Sequence, residues 1–237
     1  RGHIVILAGS GEPAEVYFET VRDLTAQGWT VWVLDAAPDP VGGAAALRNL
    51  VDNVVRPSEE DAVLVAATDT GAVTGLLALE SDPRRIDGLF LWAPRLVEPL
   101  AAEARTQVKR GLGRLSPSSE HDWVRPDYDL STRATLVEAW RTANPDLRPK
   151  RRTWAWFDGQ AGALVTTLSP PRLAAVQTPV LLIGQGEGLG ELCRDLGHCE
   201  PRPLPDGVPA HLATEERRGP WLEALNVFAD SAAAHTL

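Results

Sequence analysis

The feature that most limits how this chain can fold is a recurring unit: a short apolar run, ended by glycine or aspartate, then a helical pattern. His3–Ile4–Val5–Ile6–Leu7–Ala8 ends at Gly9–Ser10–Gly11, and Thr30–Val31–Trp32–Val33–Leu34 ends at Asp35. Asp61–Ala62–Val63–Leu64–Val65–Ala66 runs almost directly into a helix predicted from Gly71 to Glu80. Ile86–Asp87–Gly88–Leu89–Phe90–Leu91–Trp92 and Thr178–Pro179–Val180–Leu181–Leu182–Ile183 supply two more runs. Strands apolar on both faces and separated by helices predict an α/β fold, a mostly parallel sheet flanked by helices.

The helical periodicity predicts three further helices. One spans Pro13 to Gln27, with Val16, Phe18, Val21 and Leu24 inward and Gly28 as its stop. Another spans Gly42 to Val54, and a closing helix spans Glu215 to Phe228 with Trp221, Leu222, Leu225 and Phe228 inward. Trp29 and Trp32 also fall in strand or helix patterns and are assigned with Trp92 and Trp221 to the core.

Between Ala93 and Gln177 the strand pattern lapses. A bare loop of that length is not expected inside a compact domain. Helical pieces around Leu100–Leu112, Thr132–Ala143 and Leu164–Val176, with loop from Glu120 to Asp129, predict a helical cap over the C-terminal edge of the sheet. Trp123, Trp154 and Trp156 belong to that cap, and Arg148–Pro149–Lys150–Arg151–Arg152 reads as a solvated loop. The division is core at 1–95, cap at 96–176 and core again at 177–237.

Composition narrows the function classes. The 237 residues are 44% apolar, enough for one large core. A net charge of −9 argues against the basic face that nucleic-acid binding requires, and against charge-driven anchoring to an anionic membrane. No run is long enough to span a bilayer and no charged-then-apolar leader precedes the first strand, so a cytoplasmic location is the expectation. Methionine is absent and the sequence opens on a strand at Arg1, so either the composition is unusual or a preceding segment is missing. Cys193 and Cys199 are too few for a disulfide framework and lack zinc-site spacing, so both are expected as reduced thiols. Neither metal nor organic cofactor is implied, and oligomeric state is not encoded in any pattern here.

The chemistry-bearing stretch is Leu64–Val65–Ala66–Ala67–Thr68–Asp69–Thr70–Gly71–Ala72. A buried strand turns sharply into a helix, with small residues two positions to either side of Asp69. That is the steric requirement of a nucleophile elbow, G-x-S-x-G in its common form. The carboxylate of Asp69 would project at the edge of the sheet beside the positive end of a helix. An ordinary helix N-cap is the simpler use of such an aspartate. Two later residues fit as partners in the order nucleophile, acid, histidine: Glu187 in Gly184–Gln185–Gly186–Glu187–Gly188, with Glu191 as its alternate, and His211 in Val208–Pro209–Ala210–His211. The N–H groups of Ser10 and Thr70 would face each other as an oxyanion hole. A loop-capping Asp35 and a surface His211 are the plainer readings of those two residues.

Several segments together resemble the bacterial lysophospholipase and monoacylglycerol lipase group of α/β-hydrolases, over nearly the whole chain. Gly9–Ser10–Gly11–Glu12, with Glu15, Tyr17, Phe18 and Glu19, is similar to that group's H-G-x-G-E…Y-F-E opening. Asn144–Pro145–Asp146–Leu147 and Thr153–Trp154–Ala155–Trp156 resemble its N-P-x-L and T-x-G-W cap segments. Leu173–Ala174–Ala175–Val176, leading into Pro179–Val180–Leu181–Leu182, resembles the approach to its acid-bearing strand. His211 followed by Glu215 and Arg217 resembles its histidine segment. The resemblance implies an α/β-hydrolase fold, a small-molecule substrate and ester or lipid hydrolysis.

The departures bear on mechanism. The group's serine is Asp69 here, its preceding histidine is Thr68, and the histidine of its first turn is Ala8. A serine acyl-enzyme is therefore excluded at this position. An aspartate there has three uses: nucleophile at saturated carbon, as in epoxide hydrolases and haloalkane dehalogenases; general base for water; or a relic in a non-catalytic binding or partner protein.

Overall fold

The computed structural model describes residues 1–9, 12–35, 39–55, 61–81, 85–94, 118, 120–122, 143–144, 151–153, 169–185, 189–208, 213 and 218–234. Six strands form one parallel sheet: β1 (His3–Leu7), β2 (Thr30–Leu34), β3 (Val63–Asp69), β4 (Gly88–Pro94), then, beyond a separate pair, β7 (Val180–Gly184) and β8 (Cys199–Pro203). Their order is β2-β1-β3-β4-β7-β8. The helices are α1 (Phe18–Ala26), preceded by a 3-10 turn (Ala14–Tyr17), α2 (Pro40–Leu50), α3 (Gly71–Ser81), α4 (Pro170–Leu173), α5 (Leu189–Asp195) and α6 (Gly219–Ala234).

Alternation along the strands divides the core between the two faces of the sheet. Val5, Leu7, Val65, Ala67, Leu89, Leu91 and Leu182 pack with α2 and α3 residues such as Leu47 and Leu76. Ile4, Ile6, Leu64, Ala66, Phe90, Trp92 and Ile183 pack with Leu24, Trp221 and Leu225 of α1 and α6. The central strands are buried on both sides, which is why they read as unbroken apolar runs rather than as alternating ones.

Local chemistry explains the helix ends. Asp39 caps α2, its Oδ1 accepting from Gly42 N at 2.7 Å, with Pro40 preset for the first turn. The helix thus starts earlier than the periodicity predicts, and it ends in a π-turn at Val51–Val55. Gly28, at φ 92°, takes the left-handed conformation that lets the chain leave α1 and enter β2. The α1 face differs from expectation: Tyr17 and Thr20 are buried with Val16 and Leu24, while Phe18 is 39% exposed. Phe18 lies off the inward stripe that Val16, Thr20 and Leu24 define at helical spacing.

Other corrections concern the periphery. The strand β8 carries two prolines and two charges within Cys199–Pro203, so it lacks an apolar run, yet it pairs with β7 from Val180↔Cys199 to Gly184↔Pro203. Edge position makes this tolerable, since half of its backbone groups need no ladder partner. Glu120–Asp122 (β5) and Arg151–Thr153 (β6) form a two-stranded antiparallel ladder where the sequence predicts loop. Cys193 and Cys199 are joined in a disulfide, with α-carbons 5.0 Å apart, and not reduced as expected. Two cysteines are too few for a framework, but the turn from α5 into β8 folds this pair together. The predicted cap helices fall outside the described residues, except for α4.

Candidate active site

In an open parallel sheet, ligands bind at the carboxyl ends of the strands where the winding direction reverses. Here the chain passes from β1 outward to β2, then returns across β1 to place β3 on its other side, so the reversal lies between β1 and β3. Asp69 ends β3, and Gly9 follows β1.

The bend after β3 has the geometry of an elbow. Asp69 adopts φ 51°, a left-handed conformation costing an L-residue about 1–2 kcal/mol, although aspartate tolerates it better than most. The ladder to β4 slips at this point, pairing Asp69 with Pro94 after Thr68 pairs with Trp92. The helix α3 begins two residues later. Gly71 is required there, because a Cβ would lie 2.8 Å from the carbonyl oxygen of Leu7 and 3.1 Å from that of Ala8. Close approach of the α3 start to β1 thus holds Asp69 at the tip, only 8% exposed and beside the positive end of a helix.

Beneath the elbow lies a polar cluster that sequence reasoning did not assemble. Buried Glu12 accepts through Oε2 from Tyr17 Oη at 2.5 Å and from Gly9 N at 3.3 Å. Tyr17 Oη is also 3.3 Å from Thr68 Oγ1. A Cβ placed on Gly9 would lie 3.1 Å from both Asp69 Cβ and Glu12 Oε2, so the elbow and this cluster close on either side of one glycine. Glu12 and Tyr17 were visible in the sequence only as part of the resemblance, and Thr68 only as a departure from it. Their common burial is the missing signal.

A second group flanks the C-terminal segment. Thr20 donates its hydroxyl to the Ala213 carbonyl, and Arg218, 7% exposed at its side chain, donates to Glu19 and Asp23 of α1. A small crevice lies beside the elbow, lined by Leu7, Ala8, Asp35, Gly71 and Thr74 among others. Asp35 ties the first turn to β2, its Oδ1 accepting from Ala14 N at 2.6 Å.

Of the residues singled out from sequence, Asp69 and Thr70 stand at the elbow, on the loop side of the sheet with Gly9. Ser10, Glu187 and His211 lie outside the described residues, as do Trp123, Trp154 and Trp156. Glu191 sits exposed in the first turn of α5. Among the described residues no group of His, Cys, Asp and Glu could hold a metal ion.

Solved structures match this architecture from end to end. A monoacylglycerol lipase from Paleococcus ferrophilus superposes with a TM-score of 0.72 at 16% identity, covering 99% of this chain and 95% of that one. The chain has the α/β-hydrolase fold. A lipase in its open form gives 0.71 at 16% identity, over 98% and 90% of the two chains. A thermostable carboxyl esterase from Bacillus coagulans gives 0.72 at 13% identity, over 100% and 91%. No protein-family model and no curated protein sequence matches the chain. In this α/β-hydrolase-fold protein the sharp bend after β3 carries an aspartate.

Proposed function

We propose that this protein hydrolyses an ester-like or lipid-like small molecule, with Asp69, His211 and Glu187 as its working side chains and the N–H groups of Ser10 and Thr70 as its oxyanion hole. The observation that carries this reading is Asp69 itself: a non-glycine residue in left-handed backbone at the end of the strand beside the winding reversal. Strain at such a position is characteristic of functional sites. The lysophospholipase-like resemblance supplies the substrate class, and the similarity to a monoacylglycerol lipase, a lipase and a carboxyl esterase supports it.

An aspartate attacking a carboxylic ester would form an anhydride, a poor route. In the favoured mechanism, water attacks the substrate carbonyl carbon while a carboxylate or imidazole takes its proton. The tetrahedral oxyanion collapses, the bond to the alkoxide breaks, and the group that took the water proton returns it to the leaving alcohol, with Glu187 holding the His211 imidazole. At an epoxide or haloalkane, Asp69 would instead attack saturated carbon and water would then cleave the resulting ester.

Turnover lost in both Asp69→Ala and His211→Ala is the expected result across a panel of esters, epoxides and haloalkanes. An inactive wild-type protein on the whole panel would reject the reading. Asp69→Ser should gain esterase activity, and mass spectrometry after repeated turnover in heavy-oxygen water should label Asp69 only if it forms a covalent intermediate.

A second reading, a non-catalytic binding or partner protein, draws on the replacement of the group's histidines by Ala8 and Thr68 and on the engagement of Thr68 with Tyr17. Robust turnover of any panel substrate removes it. Among the described residues no helix is long and apolar enough to cross a membrane. The sequence reading takes the cytoplasm as its default, whereas the Cys193–Cys199 bridge favours an oxidising compartment. Thiol labelling in intact cells decides between them.

A further inference from the structure

We propose, resting on the role given above to Asp69, that Glu12 is a positioning residue. Its carboxylate anchors a one-way chain of hydrogen bonds, through Tyr17 and Thr68, that holds the elbow in its bend. Glu12 is 4% exposed, Thr68 3% and Tyr17 0%, so bulk water does not compete for these groups. Counting protons sets the direction of the chain. Tyr17 has one hydroxyl proton and gives it to Glu12 Oε2 at 2.5 Å. At its 3.3 Å contact with Thr68 Oγ1 the tyrosine oxygen can therefore only accept, and Thr68 is the donor. Glu12 Oε2 also accepts from Gly9 N at 3.3 Å, so the same oxygen fixes the turn after β1.

The bend needs such a hold. Left-handed backbone at a non-glycine residue persists only where its surroundings over-determine it. On the C-terminal side of Asp69 the hold is Gly71, pressed against the carbonyls of Leu7 and Ala8. On the N-terminal side the ladder gives out. Thr68 is the last residue in regular register, opposite Trp92. The next pairing skips Ala93, itself left-handed at φ 44°, and sets Asp69 against Pro94, which has no N–H to donate. The Thr68 hydroxyl takes over where the ladder stops. Gly9 closes the arrangement from the other side. A Cβ built on it would lie 3.1 Å from Glu12 Oε2, 3.1 Å from Asp69 Cβ and 3.4 Å from Thr68 Oγ1. Glu12 Oε2 and Asp69 Cβ are thus no further apart than twice 3.1 Å, with one glycine wedged between them. Burying a carboxylate and two hydroxyls carries a desolvation cost that apolar side chains would avoid, and what a connected network provides in return is one fixed geometry.

Four variants of the full chain test this. Tyr17→Phe removes the middle oxygen and keeps the ring. Thr68→Val removes the donor at nearly constant shape, whereas Thr68→Ser keeps it. Glu12→Gln keeps the shape and replaces a charge-assisted acceptor with a neutral amide. Hydrogen exchange by mass spectrometry, the NMR resonances of Asp69 and turnover are the readouts. In Tyr17→Phe and Thr68→Val, exchange within 68–73 should rise by about tenfold, the weight of one hydrogen bond, while the centres of β1, β3 and β4 stay protected. The Asp69 resonances should move in both and in Glu12→Gln, and should stay near their wild-type positions in Thr68→Ser. Where turnover is measurable, kcat in Tyr17→Phe and Thr68→Val should fall between about tenfold and a hundredfold with KM unchanged, as expected of a misplaced reacting group, and Thr68→Ser should recover most of the loss. Unchanged exchange and unchanged Asp69 resonances in folded variants overturn the assignment. Equal disturbance in Thr68→Ser and Thr68→Val overturns it too, since packing and not the hydroxyl would then matter, and so does a uniform rise in exchange across the sheet. The Thr68 pair decides if Tyr17→Phe does not fold. Because exchange and resonances need no substrate, an inactive wild-type protein would end the hydrolase reading and leave this one to be judged by them.

Discussion

At the scale of single residues, burial without full compensation is the recurring theme. Glu80 lies near the end of α3, its Oε1 buried without a hydrogen-bond partner among the described residues while Oε2 accepts from Arg172 at 3.0 Å. Desolvation by burial raises its pKa, outweighing the lowering effect of the hydrogen bond and charge of Arg172. The native state therefore holds the Glu80 proton more tightly than the unfolded chain does. Its contribution to stability is fully present below the unfolded-state pKa and is lost as pH rises through the native value. Glu80→Gln, which mimics the protonated form, should raise the melting temperature at pH 7, and the gain should shrink as pH falls toward 4. Calorimetry at the two pH values measures this, and an equal effect at both would contradict it. Asp69 is the residue at which sequence reading reached furthest: small neighbours on either side of a strand-to-helix junction are visible as letters, and the steric need for Gly71 follows from them. Glu12, Tyr17, Thr20 and Arg218 were not recognised as a framework, because each is an ordinary polar residue until folding buries it beside the others.

At the scale of elements, legibility followed hydrophobic patterning. Strands β1, β2, β3, β4 and β7 and the helices α3 and α6 were readable because their apolar periods match their burial. Boundaries shifted where side-chain chemistry decided them: Asp39 pulls the start of α2 forward, and α6 begins at Gly219 rather than Glu215 and continues to Ala234. The strand β8 escaped notice because an edge strand can be polar, and the α5–β8 bridge escaped because two cysteines alone do not announce a pair. That bridge closes a loop of only seven residues, Cys193 to Cys199, so the chain-entropy contribution is about 2 kcal/mol. Cys193→Ser, or reduction of the wild type, should lower unfolding free energy in urea by that order. Exchange protection should fall first in α5 and β8, leaving β1 and β3 unaffected. Loss of protection throughout the sheet would show instead that the bridge governs global folding.

At the scale of the whole molecule, the sheet order β2-β1-β3-β4-β7-β8 brings the first and last thirds of the chain together. The class of fold was accessible from alternating strand and helix patterns, since only a parallel sheet buries such runs on both faces. Which strand neighbours which was not, because pairing depends on crossovers that local patterning does not record. Four residues of β4, Leu89 to Trp92, pair with Val180 to Ile183 of β7. During synthesis at 5–20 residues per second, the ribosome needs roughly 5–20 s to cover that interval. Throughout it the β4 margin is an apolar strand without its neighbour, a template for unwanted association. A fragment ending after Pro94 should accordingly sediment as aggregate in cell-free translation, and one extended through Ala234, which adds both β7 and the α6 cover, should stay in the supernatant; a clear supernatant from the shorter fragment would refute the argument. The geometry that lets residues far apart in sequence share one ladder thus leaves the growing chain with a vulnerable interval, and producing this protein in quantity becomes a matter of how quickly its second half follows its first.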